Sequence, residues 1–432
     1  MTRNTSIEIG EKLRQIRRAK ELSQDNVAYA IGKHTSVISR IENGQIAPTP
    51  EVLDSIRKFL KIESAPLLPD EIDLYHEQLL IWETLLDANR VEAARDMQPK
   101  LETILSLPYE HDLCLGYLMF ETRLLYKEVN ITAAEEKINL AERLLPYASS
   151  ESLILYYSNK AQLLTIKGDI KSALGYYLKS LELFGDKKPF ARILAQIAHC
   201  CLLLGKFHHS IRYMLYARVL YEGDRTNPVS YYLNDILAFC YSAVGELKKA
   251  EELFSVSYKQ AILYDNIINQ GGTLSGMAGI NVKQGNYGIA LQQYDEALQL
   301  LQKDLPSIIP NEKHLYIYPI FYKAVLQAKM NIDNKDTISL GRPVAEGDEF
   351  FTILLDAAHH VGNLGDSASE NYLEDVAIPH LLERDGEVRV LLLTLCEELE
   401  AHYKKKKTKS KANRIASITR TIYKEMFIWD MD

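Results

Sequence analysis

The sequence predicts an all-α protein in which a small N-terminal helical domain precedes a solenoid of paired helices. Two observations support this prediction. Near the N-terminus two short amphipathic segments meet at a glycine, and beyond residue 72 a pattern of small and large residues recurs every 37 to 40 positions. Prolines at positions 66 and 69 interrupt the helical pattern between the two parts. At 432 residues, the chain is long enough for two or three domains.

The first short helix is expected to begin after Ser23, whose side chain can accept hydrogen bonds from unpaired amides of the first turn. Val27, Ala28 and Ile31 then lie on one face of the helix and form its apolar stripe. Gly32 can adopt the positive φ of a tight corner. The segment is therefore predicted to form the first half of a helix-turn-helix unit.

The second short helix, starting at His34 or Thr35, is the predicted recognition helix. Its apolar residues would face the first helix, so its polar side chains would lie on the opposite, exposed face. A short helix with small polar residues at its start and an arginine one turn later suits the major groove of DNA. The candidate DNA-binding residues are Gln24, Lys33, His34, Thr35, Ser36, Ser39, Arg40 and Asn43.

This segment resembles the helix-turn-helix of phage repressors of the XRE (Cro and C1) type, over about residues 7–62. The resemblance implies a five-helix DNA-binding domain whose last helix covers about Thr49–Leu60. It implies that Gln24 contacts a phosphate, and that Arg17 and Glu42 pair to tie the first helix to the end of the third.

The same resemblance places Thr35, Ser36 and Arg40 at base-reading positions. Because Thr35 and Ser36 stand where longer amide side chains are common, direct readout is expected to depend mainly on Arg40. The alternative is a domain of the same fold that has lost DNA binding.

The charge of the chain is unevenly distributed. Residues 1–62 carry 11 Lys and Arg against 7 Asp and Glu, whereas the remainder carries 39 against 51. A basic domain on an acidic body predicts weak non-specific DNA binding, strong salt dependence and a need for two DNA-binding domains. The basic residues expected near the phosphates are Lys12, Arg14, Arg17, Arg18, Lys20, Lys33 and Arg40.

The five cysteines show neither a metal-binding spacing nor an even count, which argues against a zinc site and a disulfide framework. The N-terminus lacks an apolar signal region, and no apolar stretch reaches membrane length. These features predict a reduced, cytoplasmic location with no membrane partner, no metal and no cofactor.

The repeat is anchored on four glycines, at positions 168, 205, 245 and 285. Small residues stand seven positions before and five positions after each anchor, and a large residue stands nine after. Weaker matches extend backwards, where Trp82 precedes Asn89 by seven positions and Ala94 follows it by five. The pattern resembles the tetratricopeptide repeat, whose helix pairs stack into a right-handed superhelix. The predicted boundaries are 1–63 for the N-terminal domain, 64–71 for a linker, 72–305 for the repeats and 306–432 for C-terminal helices.

In the C-terminal part, helices are predicted at 313–330 and 349–360, separated by a polar stretch with glycine and proline, and again within 370–403 and 412–428. They would cap the solenoid or pair with a second copy. The lysine run at 404–407 could be a nucleic-acid-binding tail, but a solvated turn is favoured because an apolar helical pattern resumes at Ile415.

The combination of a repressor-type domain and a repeat solenoid resembles the RRNPP family of peptide-responsive transcriptional regulators. The resemblance rests on domain order. It implies a homodimer whose solenoid binds a short signalling peptide in quorum sensing, and whose operator binding is switched by that peptide.

An extended peptide has backbone amides that need partners, and amide and imidazole side chains on the inner helices can supply them. Aromatic side chains there could form pockets. Taken singly, each candidate is at least as compatible with a solvated or inter-helix position as with a contact to the peptide. The candidate peptide-binding residues are Arg123, Asn159, Gln162, Arg192, Gln196, His199, Tyr232, Asp235 and Phe239.

An enzyme is not expected, because the sequence has no hydrolase, zincin, Walker or dinucleotide fingerprint. The glycine-rich run Gly271–Gly276 begins a repeat helix instead of following a strand. Two other functions stay open. The solenoid could bind a protein partner such as a response regulator, or the protein could be a constitutive phage or mobile-element repressor whose solenoid only dimerises.

Overall fold

The computed structural model consists of helices joined by turns, without a β-strand in the part of the chain that it describes. The predicted all-α fold is therefore confirmed. The described residues are 5–62, 69–88, 90–107, 110–185, 189–221, 229–305, 313–384 and 388–427.

The N-terminal domain (residues 5–62) contains four helices. They are α1 (Thr5–Ala19), α2 (Gln24–Ala30), α3 (Thr35–Glu42) and α4 (Pro50–Leu60). Within residues 5–62 the structure thus has four helices, one fewer than the five that the resemblance implies for the domain. Gly44, with φ of 68°, and two prolines at positions 48 and 50 keep the segment between α3 and α4 out of a regular helix.

The turn into α2 forms as predicted. Ser23 Oγ accepts a hydrogen bond from the amide of Asn26 at 3.1 Å, and the Asn26 side chain accepts one from the Ser23 amide at 2.8 Å. This reciprocal capping satisfies amides that the helix cannot. Gly32 has the positive φ, 64°, that the corner needs. At the start of α3, His34 Nδ1 accepts from the Ser36 amide at 3.3 Å.

The core of the N-terminal domain closes around apolar residues of all four helices. Leu13, Ile16, Val27, Ile38, Ile41 and Ile56 are among its buried members. Close contact of α1 with α3 depends on Gly10, where a Cβ atom would lie 1.9 Å from the Ile41 carbonyl oxygen. The helix-turn-helix is therefore held rigidly against α1.

The whole chain divides into two compact units, one of residues 1–169 with 175–187 and one of residues 170–174 with 188–432. Beyond the N-terminal domain, the first unit contains α5 (Pro69–Asp87), α6 (Val91–Leu101), α7 (His111–Lys127), α8 (Ile131–Ala141) and α9 (Ser150–Ile166). Helix α10 (Ile170–Glu182) has residues in both units. Residues 64–68 of the predicted linker lie outside the described residues. Pro69 is the first residue of α5, so this helix begins inside the predicted linker. Proline is well tolerated at the first helical position.

The second unit continues the helix pairs. It contains α11 (Ala191–Leu203), α12 (Phe207–Tyr221), α13 (Val229–Ala243), α14 (Leu247–Leu263), α15 (Ile267–Gln284), α16 (Tyr287–Lys303), α17 (Lys313–Lys329), α18 (Lys335–Ala345), α19 (Glu349–Gly362), α20 (Ser367–Tyr372), α21 (Ile378–Leu382), α22 (Val388–Lys405) and α23 (Lys409–Phe427). A π-helical segment, Leu373–Ala377, joins α20 to α21. Helix α18 lies in the stretch predicted to separate two helices, and Pro343 in its last turn is compatible with a helix that ends there.

The repeat pattern explains how the helices pair. All four anchor glycines have positive φ and lie in the turns between paired helices. At the weaker match, the indole N–H of buried Trp82 donates to the Ala94 carbonyl at 2.9 Å, as the register predicts for neighbours. In the second unit, a Cβ atom on Gly276 would lie 2.4 Å from the ring of Phe254. The glycine-rich run thus serves close packing of α15 on α14.

The lysine run 404–407 covers the last residues of α22 and the turn to α23, as the favoured interpretation of an exposed inter-helix turn predicted. Two lysines in and beside this turn are paired with buried carboxylates. Lys406 Nζ lies 2.6 Å from Glu370, and Lys411 Nζ lies 2.8 Å from Glu374. These contacts fix the C-terminal helix pair to the helices around the π-helical segment.

Candidate DNA-binding and peptide-binding surfaces

A buried ion pair supports the predicted DNA-binding surface from behind. Arg17 of α1 donates to both carboxylate oxygens of Glu42 at the end of α3, at 2.6 and 2.8 Å. The side chains are 8% and 3% exposed. Gln24 adds a third hydrogen bond to the same carboxylate at 2.8 Å. The predicted pairing of Arg17 with Glu42 is present, and it removes Arg17 from the expected phosphate surface.

This environment sets the protonation of Glu42. Burial alone would raise its pKa, but the hydrogen bonds from Arg17 and Gln24, with the positive charges of Arg17 and Arg14, outweigh burial and hold the pKa of Glu42 below its usual value. The carboxylate is therefore ionised at neutral pH, and α1, α2 and α3 meet on one charged group.

The exposed face of the helix-turn-helix carries most of the predicted DNA-binding side chains. Lys33, Ser36 and Arg40 are exposed, and Ser39 is half-buried. The Thr35 hydroxyl donates to the Asp25 carboxylate. Arg40 thus stands beside small polar side chains, one turn into α3.

Three of the predicted DNA-binding residues also have roles inside the domain. His34 is the cap of α3. The Asn43 side-chain oxygen accepts from Arg14, and its amide nitrogen lies 3.4 Å from Ser39 Oγ. The side-chain NH₂ group of Gln24 donates one hydrogen bond to Glu42. An NH₂ group has a second hydrogen that can donate to another acceptor. A phosphate contact by Gln24 stays a prediction.

In the first unit, the candidate peptide-binding residues lie deeper than expected. Arg123 of α7 is 6% exposed; its guanidinium lies 3.3 Å from Glu83 of α5 and also contacts Asp87. Asn159 of α9 is 1% exposed, and its NH₂ group donates to the Leu155 carbonyl at 2.8 Å.

The side-chain oxygen of Asn159 is a buried acceptor without a hydrogen-bond partner. Such an acceptor is uncommon, because leaving it unpaired costs about 1–3 kcal/mol. The third candidate of the first unit, Gln162, is half-buried one turn further along α9.

In the second unit, the candidates lie on α11 and α13, which pack against each other. Arg192, Gln196 and His199 are half-buried on α11. Burial, reinforced by nearby His314, lowers the pKa of His199 to about 4, so the ring is neutral at pH 7.

On α13, Asp235 is half-buried and accepts a hydrogen bond from the Thr273 hydroxyl at 3.2 Å. Burial raises the pKa of Asp235 to about 6, against the effect of its hydrogen bonds. Phe239 is 43% exposed and its ring meets Phe254 edge-on at 5.0 Å. The side chain of the remaining candidate, Tyr232, lies outside the described residues.

Some polar neighbours were not found from the sequence. Glu83 and Asp87 stand one turn apart on α5, a spacing that puts both on one face and could have indicated a cation between them. Lys323 is 9% exposed and lies 2.5 Å from Asp295. Lys323 carried no signal, because a lysine in an apolar helix indicates neither burial nor its partner.

Among the described residues, no cluster of three or more His, Cys, Asp or Glu side chains is placed to hold a metal ion. The adjacent histidines 359 and 360 turn to different partners, Asn363 and Ser369. In the same part of the chain, no helix combines the length and apolar character needed to cross a membrane.

Comparison with known families agrees with this geometry. The family model HTH_3, Helix-turn-helix, matches residues 13–67, which include α2 and α3. The class defined by fold and surface is thus an all-helical protein with a helix-turn-helix domain in front of a helical solenoid.

Particular relatives refine this class. The chain is 27% identical to the transcriptional activator NprA of Geobacillus stearothermophilus over 316 residues, 69% of this chain and 75% of the relative. It has the fold of the quorum sensor NprR of B. thuringiensis in its apo form (TM-score 0.64, 20% identity, 82% of this chain and 99% of NprR). NprR in complex with its cognate peptide NprX gives a TM-score of 0.62 at 18% identity, covering 81% and 97% of the two chains.

A Rap protein complexed with Competence and Sporulation Factor gives a TM-score of 0.70 at 15% identity, covering 82% of this chain and 99% of the Rap chain. These comparisons confirm the predicted resemblance in fold and domain order, a helix-turn-helix domain in front of helices with the fold of NprR and a Rap protein.

Proposed function

We propose that the protein is a transcriptional regulator whose operator binding is switched by a short signalling peptide held in its solenoid. One observation carries this proposal: a helix-turn-helix with an exposed face stands on the same chain as a solenoid with the fold of NprR, a protein solved with its cognate peptide. We further propose that it acts in the cytoplasm as a homodimer, without a catalytic step, a metal or a cofactor.

On the DNA side, α3 would enter the major groove. Arg40 is exposed one turn into the helix, where its guanidinium can donate two hydrogen bonds to a guanine. Lys33 and the start of α2 would lie near phosphates. Since the N-terminal domain is only modestly basic, two copies on paired half-sites would be needed for a stable complex.

On the peptide side, Asn159 is the strongest candidate of the predicted set. Its buried side-chain oxygen needs a donor, and an extended peptide offers backbone N–H groups at regular intervals. In the second unit, Gln196, neutral His199 and Asp235 offer donors and acceptors on neighbouring helices. Exposed Phe239 would contribute an apolar contact.

The proposed division of labour follows the predicted boundaries. Residues 1–63 would bind DNA, residues 72–305 would bind the peptide, and residues 306–432 would cap the solenoid and contribute to the dimer. This proposal is testable by deletion, because each function should be lost with its own segment.

The deciding experiment is calorimetric titration of the full-length protein with synthetic peptides of five to ten residues, taken from small open reading frames beside its gene. We expect saturable binding at micromolar or better affinity and a change in operator binding when peptide is added.

The substitution Asn159→Ala tests the peptide site. It should weaken peptide binding by about 1 kcal/mol or more, while DNA binding measured in the absence of peptide stays unchanged. Lys160→Ala, on the same helix but outside the candidate set, is the matched control; it breaks only the pair with Glu142 and should leave peptide affinity unchanged. Unchanged peptide affinity in Asn159→Ala would remove this residue from the site.

A second function is favoured by the fold match to the Rap protein, whose TM-score of 0.70 exceeds those of the two NprR structures. In this alternative the solenoid binds a protein partner such as a response regulator. Capture of a phosphorylated receiver domain, with no response to any neighbouring peptide, would support it. Operator binding indifferent to both ligands would instead support a constitutive repressor.

A further inference from the structure

An ion pair joins the N-terminal domain to the repeat region within the first unit. Lys12 Nζ of α1 lies 2.6 Å from Glu110 Oε1, next to the start of α7. The side chains are 14% and 5% exposed, although the two residues are 98 positions apart in the sequence. Lys12 had been expected near DNA phosphates, and the structure instead directs it into the repeat region.

Within the part of the chain that the structure describes, the two regions do not share a hydrophobic core. Among the described residues, the core around Leu13 and Ile16 contains only residues of the N-terminal domain, whereas the core around Trp82 and Tyr117 starts at Ile72 and contains only residues of the repeat region. Contact between the regions therefore depends on polar groups more than on a continuous apolar interface.

Both partners are attached to rigid elements. Thirteen of the seventeen residues of α7 are buried, and the Glu110 carbonyl accepts the first hydrogen bond of that helix, from Cys114, at 2.9 Å. A carboxylate at a helix N-terminus is also stabilised by the helix dipole. On the other side, α1 is locked to α3 by the Arg17–Glu42 pair. A link between Lys12 and Glu110 thus restrains the position of the recognition helix relative to α7.

We propose that the Lys12–Glu110 ion pair is a latch that holds the helix-turn-helix domain in one orientation on α7, and that its opening frees the domain to reorient. An ion pair suits this role because it can be broken without exposing an apolar core. Glu110 remains stabilised at the start of α7 when the latch opens, and Lys12 gains hydration.

Mobility of the N-terminal domain in the full-length protein tests the latch without DNA. All five cysteines are buried, whereas Tyr29 of α2 is 91% exposed, so Tyr29→Cys provides a selective site for a fluorescent label. With the latch closed, the label should tumble with the repeat region of the first unit. Glu110→Gln should add a nanosecond component to the anisotropy decay.

A double-mutant cycle separates the latch from a general loss of stability. Lys12→Gln and Glu110→Gln should each release the domain, and the double variant should be no more mobile than either. The control is Glu121→Gln, which breaks a buried pair of the same helix α7, with Lys137 at 2.9 Å inside the repeat region. Equal mobility in the original protein and Glu110→Gln, or a similar gain in Glu121→Gln, would overturn the proposal.

The consequence for DNA rests on the proposed function. If two oriented domains engage paired half-sites, insertion of about five base pairs, half a helical turn, should weaken the latched protein at least about tenfold and Glu110→Gln clearly less. Equal loss in both proteins would overturn the reorienting role. If neither protein binds any DNA, the proposed function fails, while the anisotropy decay still decides whether the latch exists.

Discussion

The two predicted recognition surfaces differ in how their side chains are held. On the N-terminal domain, Arg40 and Lys33 are exposed, and a buried network around Glu42 positions the helix that carries them. In the repeat region, Arg123 and Asn159 are themselves buried between helices. In the N-terminal domain the exposed side chains of Arg40 and Lys33 are distinct from the network that supports them, whereas in the repeat region the proposed peptide-binding residues also hold helices together. Substitutions should therefore separate binding from stability in the N-terminal domain more cleanly than in the repeats.

The largest expected effect is on the supporting network. Glu42→Ala leaves the Arg17 guanidinium buried without its partner, which should destabilise the N-terminal domain by about 3–5 kcal/mol. Amide hydrogen exchange of α1 and α3 in the full-length protein measures this loss. Asp54→Ala, which breaks the exposed pair with Lys58, is the control and should leave the exchange unchanged. An equal effect of both substitutions would show that the Glu42 network does not hold the recognition helix.

A buried acid should make the second unit sensitive to pH. Because the pKa of Asp235 is raised to about 6 from an ordinary value near 4, the folded state binds more protons than the unfolded state between these pH values. Stability contributed by this group is therefore present below pH 4 and decreases by about 1–3 kcal/mol as the pH rises through 6. Urea unfolding at pH 4.5 and 7 should show this decrease in the original protein and lack it in Asp235→Asn. The same pH dependence in both proteins would assign it to other groups.

The exposed surface should show the opposite behaviour, with binding affected and stability retained. Arg40→Ala should weaken binding to the cognate operator by about 1–3 kcal/mol and relax specificity at one base position. Lys33→Ala should lower affinity for cognate and scrambled DNA alike. Equal losses on both DNAs in Arg40→Ala would make Arg40 a phosphate contact.

The smallest expected effect concerns packing between repeats. Gly276→Ala places a methyl group against the Phe254 ring, and overpacking of this kind costs about 1–3 kcal/mol, partly offset by the better helix propensity of alanine. Gly272→Ala, on the same helix with open space around it, should stabilise the second unit by up to about 1 kcal/mol. Thermal unfolding distinguishes the two. Stabilisation by Gly276→Ala would mean that α14 and α15 have room to separate.

The parts of the fold that sequence analysis predicted correctly depend on local rules. Ser23, Gly32 and the four anchor glycines act through caps and turns whose requirements span a few residues. Trp82 and Ala94 meet because both sides of the repeat follow one register. Such features can be predicted from a single sequence because a cap, a turn or a repeat position each favours a small set of residue types.

The features that sequence analysis did not predict depend on tertiary contacts. The ion pairs of Arg123 with α5 join residues 36 and 40 positions apart, and nothing in the sequence around Arg123 indicates burial. The Lys12 contact spans 98 positions, so its direction could not be inferred from the charge of the N-terminal domain. Helix α18 was missed because Gly341 and Pro343 resemble a loop, whereas Gly341 is buried against Leu355 and Ile317. For the candidate sites, the sequence indicates which residue types to consider but not how deeply their side chains lie.

Helix α15 has a consequence for how the repeats unfold. Four of its eighteen residues are glycines, at positions 271, 272, 276 and 279, so in isolation it would be less stable than an alanine counterpart by roughly 4 kcal/mol. Two of these glycines let neighbouring side chains approach closely, which returns stability only while α14 and α16 are folded. In a linear array, such an element has weak intrinsic stability and strong nearest-neighbour coupling. When either α14 or α16 unfolds, α15 should unfold with it. We therefore expect α14, α15 and α16 to exchange their amide hydrogens as one cooperative block.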